Sequence, residues 1–216
     1  DNTKASRRVE EESEIASRRI DEMASKIDDH RLDQALEKLE LAKLSQSGEG
    51  DPESAKQAMD HVQEAKRLLA LARKDHLKEI SQLELSKAIE FFDNLVRKHA
   101  RPSEQTTFDN LARTAQRLID NNSGDFEARL DDLRGKNFMI LWRQDWFVID
   151  RFKWLAEDSY LFPEAREHAR LVAAGSAALK TNDIETLRKI VAQLDSIRIG
   201  STDEDEVMVA ANIIRG

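Results

Sequence analysis

Cysteine is absent from this sequence, which removes disulfides, thiol catalysis and thiolate metal sites from consideration. A chain built this way suits a reducing compartment, and the cytoplasm is the expected location. Proline and glycine are scarce, three and seven in 216 residues, so tight turns are few and long helices are expected. Basic excess is also lacking. The 34 Lys and Arg stand against 42 Asp and Glu, a net charge of -8, which gives no general attraction to a phosphate backbone or an anionic membrane. Neither nucleic acid nor membrane is therefore an expected partner. No run of ~18 apolar residues appears that would cross a bilayer, and the opening residues carry no secretory leader pattern. They run straight into charged helical sequence, as an internal segment of a longer protein would.

Aromatics are few, 6% of residues, but they are concentrated. Residues 136–162, KNFMILWRQDWFVIDRFKWLAEDSYLF, hold all three tryptophans, the single tyrosine and four of the eight phenylalanines. On a helix, Phe138, Leu141, Trp142, Asp145, Ile149 and Phe152 fall to one side while Met139, Trp146 and Trp154 fall toward another. An apolar surface that wraps so far round must be covered by neighbours. The spacing predicts a central core helix over residues 137–158. Trp146, Phe147, Trp154 and Tyr160 are the candidates for contact with another protein, because large aromatics dominate interface energetics.

The remaining pattern is helical throughout. Residues 4–44 carry Val9, Ala16, Ile20, Met23 and Ile27, then Leu32, Ala35, Leu36, Leu39 and Ala42, which predicts two helices or one kinked one, with Asp28 or Asp29 capping the second near His30. SQSGEGD breaks the pattern, and Asp51-Pro52 is a helix-start signal. From Pro52 the periodicity runs to Val96 without Gly or Pro, so one long helix is expected, with a break at residues 75–79 as the alternative where the spacing slips. Ser103 is the expected cap of the next helix. That helix should end at Asn121, Asn122, Ser123 and Gly124, which tolerate a left-handed turn, and a short helix should stop at Gly135. Pro163 restarts a helix with Ala165, Ala169, Val172, Ala173, Ala177 and Leu179, and Gly175 inside it, whose small residues on one face would let a partner approach closely. Thr181, Asn182 and Asp183 turn the chain into that partner, residues 184–197, forming an αα-hairpin. A last helix around Val207 to Ile214 is expected from Ser201 or Thr202, with Asp203, Glu204 and Asp205 in its first turn as a solvated start. The fold class is all-α. The expected plan is an elongated one: a long antiparallel helical hairpin or coiled-coil arm over residues 1–101, then a helical bundle over residues 102–216.

No constellation for chemistry is visible. His30, His61, His76, His99 and His168 stand in no recognised metal-ligand spacing. Gly48 and Gly50 lack the ending and the preceding strand of a phosphate loop, and there is no Gly-x-Ser-x-Gly turn. Carboxylates such as Glu10 and Glu14 share a helix face, but on helices this charged they read as ion-pair partners. No catalytic, cofactor-binding or metal-ligating residue is expected.

One stretch resembles a known family. ARLVAAGSAALKTNDIETLRKIVAQLDSI, residues 169–197, is similar to a helical hairpin near the C-terminus of bacterial DnaK-type (70 kDa heat-shock) chaperones and their variants, on an Asp-Ile/Leu-Glu-x-Leu-Arg motif. Here the motif is Asp183, Ile184, Glu185, Leu187 and Arg188. The N-terminal VEEESEIASRRIDEM loosely resembles the lid helices of the same family. The resemblance implies a non-catalytic, all-helical lid or accessory region whose ATPase and peptide-binding sheet lie upstream, and whose contacts are client proteins and upstream domains of its own chain. The competing reading is a helical scaffold or adaptor that mediates protein–protein interaction without a chaperone parent.

Overall fold

The structure, a computed structural model, describes residues 2–46, 51–157 and 159–199. Among these residues it is all-helical, with nine α-helices and no strand: α1 Asn2–Ala24, α2 His30–Gln46, α3 Pro52–Asp75, α4 Leu77–Phe91, α5 Pro102–Asp120, α6 Phe126–Trp142, α7 Asp145–Glu157, α8 Ala165–Lys180 and α9 Ile184–Ile197. The helix expected beyond residue 200, with its acidic start, lies outside the described residues. The chain divides into two compact units, residues 1–87 with 116–126, and residues 88–115 with 127–216.

Local chemistry sets several of the helix starts. Asp29 Oδ1 accepts from the Arg31 amide at the head of α2, 2.9 Å away, and Asp51 accepts from the Glu53 amide with Pro52 opening α3. Two turns share one design. Asn122 and Asn182 take left-handed backbone, φ 51° and 55°. The following amides, of Ser123 and Asp183, reach back to Leu118 O and Ala178 O, each at 2.8 Å. Carbonyls left over at the ends of α5 and α8 are satisfied in this way, and asparagine adopts the required conformation at less cost than most residues.

In the first unit the small and branched residues of α1, α2 and α3 make one core. Val9, Ala16, Ile20 and Met23 meet Leu32, Ala35, Leu39 and Ala42, and Ala58, Val62, Ala65, Leu69 and Ala72, with Ile80 of α4 closing it. Alanine on facing helices brings their axes close. Charged residues sit around this core in tertiary pairs. Glu84, 2% exposed, accepts from Arg19 and Arg73 at 2.7 and 2.9 Å. Burial pushes its carboxyl up, and the two guanidinium groups outweigh that, leaving it below the ordinary carboxylate range. The end of α5 belongs to the same unit: Gln116 and Gln82 exchange side-chain amide hydrogen bonds of 2.7 and 2.9 Å.

The long helix expected from Pro52 to Val96 is interrupted, at the alternative break. His76 leaves helical geometry at φ -121°, ψ 39°. A cluster at the same corner holds it there: His76 Nε2 lies 3.1 Å from Asp29 Oδ2, and Arg31 bridges Asp29 and Asp75 at 2.7 and 2.8 Å. No local propensity encodes that contact between residues 47 positions apart.

The second unit opens with an irregular stretch. After α4 the backbone widens into a π turn, Phe92–Val96, and tightens into a 3-10 turn, Arg97–His99. Phe92 is fully buried and stacks on Phe108 of α5 with ring centroids 3.8 Å apart. The Arg97 guanidinium lies over the Phe92 ring, 4.6 Å from its centroid, while binding Asp93 and Asp109, each at 2.8 Å. Helix α5 begins at Pro102, one residue before the expected cap Ser103, because proline's fixed φ suits the first helical position. The remaining core joins Val148, Phe152 and Leu155 of α7, Leu161 and Phe162, Leu171 and Ala178 of α8, and Leu187, Ile190, Val191 and Leu194 of α9.

Two expectations about the aromatic segment are corrected. Helix α6 runs through Gly135 to Trp142, and the single helix expected over residues 137–158 is divided at Arg143 and Gln144 into α6 and α7. Glycine costs a helix interior about 1 kcal/mol, whereas α6 buries Leu130, Leu133, Ile140 and Leu141 across that position, each contributing about 1.5–3 kcal/mol. The burial outweighs the glycine. A third correction concerns α8, which turns His168, Leu171, Gly175 and Ala178 inward. Ala165, Ala169, Ala173 and Ala177 are exposed.

Candidate functional site

Trp146, Phe147 and Trp154 of α7 and Tyr160 beyond it are the expected contact residues, and their placement differs one by one. Phe147 is 3% exposed, packed edge-on to Phe138 and Trp146 at 6.0 Å from each, and offers no surface to a partner. Trp146 is half-buried and faces His99 with 5.7 Å between ring centroids. Burial, with help from Lys98, holds the His99 imidazole below its ordinary pKa. Trp154 is half-buried, with the Arg198 guanidinium 4.4 Å and that of Arg151 5.9 Å from its ring. The side chain of Tyr160 lies outside what the structure describes; its backbone is part of the 3-10 turn Ser159–Leu161. Of the described side chains, Phe147 is buried, and Trp146 and Trp154 are each half-buried.

What does sit on the surface was not singled out by sequence. Met139 of α6 is 65% exposed, three positions before the half-buried Trp142 of the same helix. A methionine between aromatics in a helix meant for burial gave no signal to set it apart.

Two arginines fasten the aromatic helices in place. Arg151, 1% exposed, donates two hydrogen bonds to the Asp195 carboxylate of α9, at 2.9 and 2.7 Å, and lies 5.8 Å from the Phe138 ring centroid. A buried guanidinium needs such a bidentate partner, since an isolated charge in the interior is costly. Arg188 of α9 donates to Trp142 O, to Arg143 O at 3.1 Å and to Asp145 Oδ1 at 2.8 Å, and lies over the Trp142 ring. These are the carbonyls exposed where α6 ends and the carboxylate where α7 begins. One side chain from α9 thus completes the break at residues 143–144. A third tie joins the break between α6 and α7 to α5: Arg143 grips Glu104 with bonds of 2.6 and 2.7 Å, which draws the Glu104 pKa down to about 2 against the opposing effect of burial.

Three side chains of the motif over residues 183–188 have structural roles. Asp183 caps α9, its carboxylate accepting from the Thr186 amide at 3.2 Å and hydroxyl at 2.6 Å, which lowers its pKa. Leu187 is fully buried in the second core. Arg188 is the clamp just described. His168, 5% exposed, donates from Nε2 to Leu155 O at 2.9 Å and stacks on Phe162, so it too serves packing.

Among the described residues no group of three His, Asp or Glu side chains is disposed to hold a metal ion, and no helix is long and apolar enough to cross a membrane. Glu10 and Glu14, the carboxylates sharing a face of α1, pair with Arg7 and Arg18. Compared with known proteins, the chain matches no family model, no curated protein and no solved structure.

Proposed function

We propose that this chain is a non-catalytic helical region, a lid or accessory part, of a DnaK-type chaperone, contributing to the binding of substrate protein or to its regulation. The observation that carries the reading is the work of Asp183, Leu187 and Arg188. Each side chain builds the α8–α9 hairpin or ties it to the aromatic helices. A motif with wholly architectural duties supports a region that acts by shape and contact. The charged side chains in the cores point the same way, since Glu84 is neutralised by Arg19 and Arg73, and Arg151 by Asp195, instead of converging on a reactive centre. The cytoplasm is the compartment that goes with this reading, and client protein and upstream domains of the same chain are the partners.

The helical adaptor is the second reading, and the exposed Met139 beside half-buried Trp142 favours it, because methionine and tryptophan are enriched at protein interfaces. One observation separates the two. A reading frame that encodes a nucleotide-binding domain and a β-rich segment before residue 1 supports the chaperone, and any other neighbour there overturns it in favour of the adaptor.

A further inference from the structure

We draw no further inference here: the strongest candidate, the solvent-facing alanine stripe of α8 formed by Ala165, Ala169, Ala173 and Ala177, is an unpartnered helix face, and nothing in the structure shows what covers it.

Discussion

Replacing Gly175 by alanine adds one methyl group, and its consequence follows from where that methyl would fall. A Cβ at Gly175 would lie 2.1 Å from Cε2 and 2.5 Å from Cζ of Phe152, well inside the roughly 3.5–4.0 Å at which carbon atoms rest. Phe152 is 3% exposed and held among Val148, Leu155, Leu171 and Leu187, so its ring has no vacant space to enter. Overpacking of this kind costs about 1–3 kcal/mol, and the closeness of the overlap places it near the upper end. Alanine returns about 1 kcal/mol through helix propensity, leaving a net loss of about 2 kcal/mol for Gly175→Ala. Gly135 is the internal control. It lies inside α6, exposed, and an added Cβ there meets nothing within 4 Å, so Gly135→Ala should stabilise by about 1 kcal/mol. The same chemical change is thus expected to act in opposite directions at two sites of one unit. All three tryptophans belong to that unit, and urea unfolding followed by tryptophan fluorescence reads it directly. If Gly175→Ala proves as stable as Gly135→Ala, the close approach of α8 to Phe152 is refuted. Adding Phe152→Leu to Gly175→Ala should relieve part of the overlap, so the two effects should be less than additive.

Asp195→Ala should destabilise the second unit by about 3 kcal/mol, since it leaves the buried Arg151 guanidinium without its bidentate partner; a loss below about 1 kcal/mol in urea unfolding would contradict that burial. Arg188→Ala should cost about 2 kcal/mol through three lost charge-assisted bonds, and Arg188→Lys should recover little of it, because an ammonium group lacks the planar fork that reaches both carbonyls and Asp145. Equal stability of the lysine variant and the unsubstituted chain would remove the clamp from the account. Glu104 has its folded-state pKa lowered from 4.5 to about 2 by Arg143, so its contribution is present above pH 4.5 and is lost as the pH falls toward 2. Glu104→Gln should flatten that part of the acid-unfolding profile, and an unchanged profile would tell against the pair. ATP titrated into the chain should leave tryptophan fluorescence and calorimetric heat unchanged, whereas micromolar affinity would overturn the non-catalytic reading.

The residues by themselves determined that this chain is helical and where many of its helices begin and turn. Asp29, Asp51 and Asp183 accept first-turn amides, and Asn122 and Asn182 supply left-handed backbone. These are interactions between neighbours in sequence, so a short stretch contains everything needed to read them. Most of the inward faces of α1, α2 and α3 was legible too, because a 3.6-residue period says which residues share a side, but Leu36, expected on the stripe of α2, is 41% exposed at its edge. Only tertiary structure decided the rest. His76 breaks the long helix at a carboxylate 47 positions away, Arg188 completes the division of the aromatic segment from 46 positions away, and Arg151 finds Asp195 across 44. Periodicity identified α8 as amphipathic but pointed to the alanine side as the covered one; the Phe152 ring against Gly175 shows that the other side faces the core. Propensities differ by less than about 1 kcal/mol per residue between ordinary side chains, and a single buried ion pair or ring contact of larger magnitude overrides them.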